Sequence, residues 1–187
     1  RPVAVKVLRP RFQEDSRWEE RFCIEARAAS AIRHDNIVDV VDIGRTEHGL
    51  LFYVMEYLDG ETLAETLQRV GRMRWSRVKG IAEQLCSALA ATHAAGIIHR
   101  DLKLVNIVRC ERAANPDFIK ILDFGIAKVL NMDGAGKLTA VGEVLGTRGC
   151  MAPEQISGGQ VDARTDLYAV AILLYQLLTG IKPFVAD

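Results

Sequence analysis

The sequence predicts an α+β fold in two lobes, the first mostly strand and the second mostly helix. Three observations carry that prediction. Short apolar runs alternate through the N-terminal part, long amphipathic stretches fill the rest, and the two characters meet at "YVMEYLDG", near Met55 to Gly60. A small lobe over 1–57 and a helical lobe over 58–187 follow from that change. With 187 residues, 49% hydrophobic and 26% charged, the chain has enough apolar material to bury a core.

The elements read in order as follows. "VAVKVL" (Val3 to Leu8) alternates small apolar residues around one Lys and predicts a strand. From Arg17 to Ile32, Trp18, Phe22, Ala26 and Ala29 recur at helical spacing with charges between them. "NIVDVVDIG" and "LLFYVMEY" predict two strands joined across "TEHG", and "GETLAETLQ" predicts a short helix. From Ser76 to Ala95 a strong amphipathic helix gathers Val78, Ile81, Ala82, Leu85, Ala88, Leu89 and Thr92 on one face, and Gly96 ends it. "NIVRC" and "FIKILDFG" are short apolar segments around the turn "ANPD". The glycine-rich "NMDGAGKLTAVGEVLGTRG" predicts a mobile loop, and Asp166 stands where an N-cap would open an apolar helix to Leu178.

Composition narrows the function. Net charge is zero, from 24 basic and 24 acidic residues, so no basic excess points to nucleic acid or an anionic membrane. Cys23, Cys86, Cys110 and Cys150 form no C-x-x-C pair, which leaves zinc and redox motifs unsupported and predicts a reduced, cytoplasmic setting. No signal peptide opens the chain, and "LYAVAILLYQLL" is too short to span a bilayer. A start on Arg and an end at "KPFVAD" predict a piece of a longer chain, whose other parts are free to carry a membrane anchor.

"HRDLKLVN" (His99 to Asn106) packs ionisable side chains and an Asn between the apolar "AAGII" and "IV". It fits H-R-D-L-x-x-x-N. Asp123-Phe124-Gly125 and Ala152-Pro153-Glu154 follow it, and Lys6 precedes it in V-A-V-K. Each tripeptide alone is weak; all four in this order are strong. In them the chain resembles the catalytic domain of bacterial-type serine/threonine protein kinases over nearly its whole length. The resemblance implies a two-lobed kinase fold, partial in both lobes, with ATP and Mg2+ as cofactors, Mn2+ as a substitute, and proteins bearing Ser or Thr as substrates.

The chemistry explains the residue types. Moving a γ-phosphoryl group asks the protein for alignment and for cancellation of negative charge. Magnesium takes oxygen ligands and keeps waters, so one carboxylate and one amide suffice. By resemblance those ligands are Asp123 and Asn106. Asp101 orients the substrate hydroxyl and accepts its proton, Lys103 lies near the γ-phosphate, and Lys6 holds the α/β-phosphates. The long stem of Lys6 calls for a carboxylate partner. Of Glu19, Glu20 and Glu25, the last matches the family's helix glutamate, and the other two read as a solvated face. The resemblance makes Met55 the gatekeeper, gives the Glu56 carbonyl and Leu58 backbone to adenine, and packs Ala4 and Val108 on its faces. Arg100 would pair with a phosphate on Thr139, Thr147 would position substrate, and His99 would pack with Phe124. A kinase partner for trans-autophosphorylation is a further implication.

Departures are specific. The Gly-rich phosphate loop and the helices after "LTGIKPF" are not in this sequence, which predicts an unpaired Glu154 and a weak or inactive isolated fragment. Leu104 stands where Pro is usual, Arg148 and Cys150 alter the segment before Ala152, and Ala171 replaces a common Gly. His34, His48 and His93 read as ordinary histidines. Two other functions fit parts of the pattern: a pseudokinase scaffold, which would be free to lose Lys6, Asp101, Asn106 and Asp123, and a small-molecule phosphotransferase, which the Ala152-Pro153-Glu154 segment disfavours.

Overall fold

A computed structural model describes residues 1–13, 16–112, 115–123 and 148–184. Its first sheet has the order β1-β3-β2, all antiparallel, from β1 (Val3–Val7), β2 (Val40–Arg45) and β3 (Leu51–Glu56). In β1 the odd positions Val3, Val5 and Val7 are exposed, while Ala4 and Lys6 are half-buried on the opposite face. Register sets Ala4 opposite Met55 and Lys6 opposite Tyr53. After the short helix α1 (Pro10–Gln13), helix α2 (Ser16–Ala31) covers the sheet. It buries Phe22, Ala26 and Ala29, with the rings of Phe22 and Tyr53 centred 4.9 Å apart.

The second sheet runs β4-β5-β6, from β4 (Gly60–Thr62), β5 (Ile107–Arg112) and β6 (Asn115–Ile121). Helix α3 (Leu63–Val70) packs on β4 and β5 and α4 (Trp75–Ala94) on β6, while α6 (Ala163–Thr179), which follows the short α5 (Pro153–Ser157), packs on α4. The stretch read as one short helix therefore divides. Gly60 to Thr62 pair with β5, and Thr62 then caps α3 in a reciprocal box with Glu65. Asn115 and Asp117, read as a turn, lie inside β6. In α4 the residues Val78, Ile81, Leu85, Ala88, Leu89 and Thr92 are buried, the face its periodicity marked.

One apolar core joins the two parts. Tyr53, Leu51 and Ala26 belong to the same cluster as Leu85, Leu89, Ile119, Ile121, Leu173 and Leu177. The segment after α2 stitches across by backbone: Ile121 N–H donates to Asn36 O at 2.8 Å and Val38 N–H to Ile121 O at 3.0 Å. Asn36 Nδ2 adds bonds to Ile119 O and Gln84 Oε1 at 2.7 and 2.9 Å. Asp162, and not Asp166, is the N-cap of α6, accepting from Arg164 N–H. Asp166 sits a turn later, where its carboxylate faces inward. No helix among the described residues is long and apolar enough to cross a membrane.

Candidate active site

Strand β1 brings Lys6 to a meeting point of α2 and the segment after β6. Its Nζ lies 2.7 Å from Glu25 Oε1, on α2, and 2.7 Å from Asp123 Oδ1, just after β6. Tyr53, opposite Lys6 in register, donates its hydroxyl to the same two oxygens at 3.2 Å each. Burial works against the Lys6 charge, but Asp123 and Glu25 overcome it and hold its pKa above the ordinary lysine value. Burial also pushes the Glu25 carboxyl upward, with Lys6 opposing and Asp123 reinforcing the rise. The Tyr53 hydroxyl is pushed up by burial first and then by the two carboxylates, so it stays a neutral donor.

The segment from His99 to Asn106 is tied together by its own side chains. Lys103 Nζ pairs with Asp101 Oδ2 at 3.0 Å. Asn106 Nδ2 donates to Asp101 O at 3.2 Å and reaches its Oδ2 at 3.5 Å. A 3₁₀ turn over Leu104–Asn106 closes with Asn106 N–H on Lys103 O at 2.9 Å. His99 is fully buried, and burial lowers its pKa. As a neutral ring its Nδ1 accepts from Asp101 N–H at 3.3 Å while Nε2 donates to Leu122 O at 3.3 Å. Leu122 N–H in turn donates to Asn106 O at 2.8 Å, which ties the Asp123 segment to the loop.

Two backbone conformations give the loop its shape. Arg100 (φ 66°) and Asp123 (φ 42°) are the described non-glycine residues in the left-handed region. Arg100 is held on both sides: its N–H donates to Asp166 Oδ1 at 2.8 Å, and its carbonyl accepts from Gln155 Nε2 at 2.9 Å. His99 N–H donates to Asp166 Oδ2 at 2.9 Å.

Of the residues expected around a nucleobase, Ala4 and Met55 are half-buried neighbours across β1 and β3, Val108 is buried in β5, and Leu58 is half-buried between β3 and β4 in the chain. The Glu56 side chain has a use the sequence did not suggest. It pairs with buried Lys120 and accepts from Asp39 N–H at 2.9 Å. Glu154, expected to lack its arginine partner, accepts from Thr165 Oγ1 at 2.6 Å. Cys150 Sγ accepts from Gln176 Nε2 at 3.7 Å. Thr139, Thr147 and Phe124 lie outside the described residues.

As a metal site, Asp123 and Asn106 offer one carboxylate and one amide on segments tied by the Leu122–Asn106 bond. Among the described residues no group of three or more His, Cys, Asp or Glu forms a cage. Such a sparse oxygen set fits a hard divalent cation that keeps waters and takes phosphate oxygens.

Sequence reasoning did not reach Tyr53, Gln155, His93 or Lys120. Tyr53 becomes visible only through strand register, and the other three only through contacts between distant segments.

Comparison with known proteins agrees with this geometry. Residues 1–187 match the protein kinase domain. The chain is 48% identical over 186 residues to serine/threonine-protein kinase pkn3 of Myxococcus xanthus, covering 99% of this chain and 34% of that protein. It is 42% identical over 190 residues to serine/threonine-protein kinase PknB of Mycolicibacterium smegmatis, covering 100% of this chain and 30% of that protein. The chain thus spans about a third of the curated relatives it matches. A solved PknI kinase domain of Mycobacterium tuberculosis superposes with a TM-score of 0.72 at 28% identity, over 98% of this chain and 66% of that one. On motif, geometry and likeness together, the chain belongs to the protein kinase domain family.

Proposed function

We propose that the chain is the catalytic part of a serine/threonine protein kinase, transferring the γ-phosphoryl of ATP to Ser or Thr hydroxyls of proteins. Protein kinases as a family use ATP and a divalent cation. Here the cation is Mg2+, with Mn2+ as its substitute. The observation that carries the reading is the meeting of Lys6, Glu25 and Asp123 within 2.7 Å contacts from three distant parts of the chain.

In this mechanism Lys6, fixed by Glu25, binds the α/β-phosphates. Asp123 and Asn106 hold the cation, which when bound neutralises phosphate charge. Asp101 orients the acceptor hydroxyl and takes its proton, and Lys103 stabilises charge developing on the transferred group. Ala4 and Val108 pack on adenine beside Met55, and the Glu56 and Leu58 backbones bond its edge. Arg100 receives a phosphate on Thr139, added in trans by a second kinase molecule, and Thr147 positions substrate. The lobes divide between 57 and 58, and the reaction runs in the cytoplasm.

The reading is tested on the full-length protein with labelled ATP, Mg2+ and Ser/Thr peptides. Label transfer that disappears in Asp123→Asn and Asp101→Asn is the expected result. Transfer undiminished in Asp123→Asn contradicts the assignment. ATP binding with no transfer under any metal favours the scaffold function instead.

A further inference from the structure

The corner between α3 and α4 carries a run of positive charge. From Gln68 to Ala82, Arg69, Arg72, Arg74, Arg77 and Lys79 stand without one acidic residue among them. A net charge of zero for the whole chain leaves room for such a local excess. Two of these cations are engaged inside the fold: Arg69 pairs with Glu61, and Arg77 grips Asp117 with bonds of 2.7 and 2.6 Å. Lys79 reaches Glu83 at 3.6 Å. Arg72 and Arg74 are exposed and make no ion pair among the described residues.

The corner protrudes and is held from behind. Every residue from Gln68 to Ser76 is exposed except Met73, which is buried. Met73 N–H donates to Leu177 O at 2.7 Å and ties the turn to α6. Gly180, the cap of α6, backs onto the same turn so closely that a Cβ there would stand 2.2 Å from Gly71 O. With Met73 drawn inward, Arg72 and Arg74 flank it in solvent. Around them Trp75 is 63% exposed, Val70 36%, and Ile181, next to Gly180, 62%. Exposed apolar side chains are ordinary when scattered, but three gathered at two unpaired arginines mark a contact surface. A turn fixed in advance loses little freedom when that contact forms.

The chemistry of the corner selects its partner. Guanidinium forks match phosphate oxygens, and indole rings settle where lipid headgroups meet acyl chains. An extended acidic peptide asks for a groove, whereas a protruding turn fits a flat anionic interface that admits its apolar tips. Two unpaired cations are few for tracking a nucleic-acid backbone, where affinity grows with each phosphate neutralised. We propose that the α3–α4 corner is a docking surface for anionic phospholipid: Arg72 and Arg74 bind headgroup phosphates while Trp75, Val70 and Ile181 enter the interface. The inference stands apart from the kinase reading, because none of these residues belongs to the proposed phosphotransfer site.

The test follows amide hydrogen exchange of the full-length protein mixed with vesicles of phosphatidylcholine, alone or with about a third phosphatidylglycerol. The readout is local, so a membrane attachment elsewhere in the protein does not imitate it. Slower exchange over 70–75 with the anionic vesicles, absent with phosphatidylcholine alone and reversed by added salt, is the expected result. Arg72→Gln and Arg74→Gln each shift the vesicle titration of that protection about fivefold weaker, the effect of one basic residue near an anionic surface. Trp75→Ala removes most of the protection. All three variants keep the thermal midpoint of the wild type, because surface substitutions outside packed contacts cost little. Equal exchange with and without phosphatidylglycerol overturns the proposal, as does an Arg72→Gln, Arg74→Gln double variant that titrates like wild type. Protection of the same residues by polyglutamate or single-stranded RNA, with none from anionic vesicles, assigns the corner to another anion and overturns it as well.

Discussion

Lys6 Nζ and Glu25 Oε1, from a strand and a helix 19 positions apart in the chain, lie 2.7 Å from each other. Register alone sends Lys6 to the inner face of β1, and α2 can bring Glu25 to it only if Phe22, Ala26 and Ala29 are buried against the same sheet. Packing and charge therefore specify one arrangement. Asp123 completes it from beyond β6, and the Tyr53 hydroxyl spans both carboxylates.

On the proposed function, replacing Lys6 with Met is expected to cut turnover by about a hundredfold or more, because the charge assigned to the phosphates would be lost. It also changes the alkaline behaviour. The folded pKa of Lys6 is raised above its ordinary 10.5, so its contribution to stability is complete below that value and is lost as pH rises through the folded one. Tyr53, raised from 10.0, acts in the same direction. Denaturation midpoints of the full-length protein from pH 9 upward should fall less steeply in Lys6→Met than in wild type. An identical alkaline limb in both would show that the ion pair contributes nothing there.

Buried Lys120 and half-buried Glu56 form a second ion pair. Lys120 Nζ meets Glu56 and also donates to Ile37 O at 3.2 Å, with side-chain exposures of 8% for Lys120 and 13% for Glu56. Removing one partner leaves a buried charge, so Lys120→Met should cost about 3–5 kcal/mol. The double variant Lys120→Met with Glu56→Gln removes both charges and should recover most of that loss. Urea unfolding of the three proteins decides it, and a double variant no better than the single one refutes the pairing.

Gly60 shows why some glycines in this chain are irreplaceable. A Cβ there would stand 2.1 Å from Arg109 O, a backbone atom of the paired strand β5. No side-chain rotation relieves that clash, so β4 must separate from β5. Gly60→Ala should destabilise by about 2–4 kcal/mol, near or above the usual cost of overpacking. Thermal unfolding checks it, with Gly80→Ala as the control, since a Cβ at Gly80 meets nothing within 4 Å.

Much of this was legible in the sequence, and the division has a physical basis. Periodicity revealed α4 because its apolar face is continuous, from Val78 to Thr92. The motifs singled out Lys6, Asp101, Asn106 and Asp123 because phosphate chemistry restricts the residue types. What stayed hidden depends on pairing between distant segments. β4 has three residues, too few to show alternation, and exists because β5 lies beside it. Asp166 resembles an N-cap by its place before an apolar run, yet Asp162 takes that role and Asp166 turns inward to the loop amides. His93 stands in the last turn of α4, and no sequence pattern distinguishes it from an ordinary histidine.

The charges behind β4 should set the acid limit of the fold. Glu61 pairs with Arg69, accepts from Arg109 Nη2 at 2.8 Å and accepts from Thr66 Oγ1 at 3.0 Å. Those bonds, Arg69 first, hold its carboxyl at about 2, below the ordinary 4.5. A carboxylate with a depressed folded pKa gives stability that is complete above 4.5 and is lost as pH falls towards about 2, because the unfolded chain takes up the proton first. Glu61→Gln should lower stability at neutral pH and flatten its decline between pH 4.5 and 2, as followed by circular dichroism across an acid titration. Arg69 and Arg109 reach Glu61 from α3 and β5, so the same variant should loosen α3 before the rest of the domain. Faster amide exchange confined to Leu63–Val70 would report that loosening, and uniform exchange across the domain would contradict it.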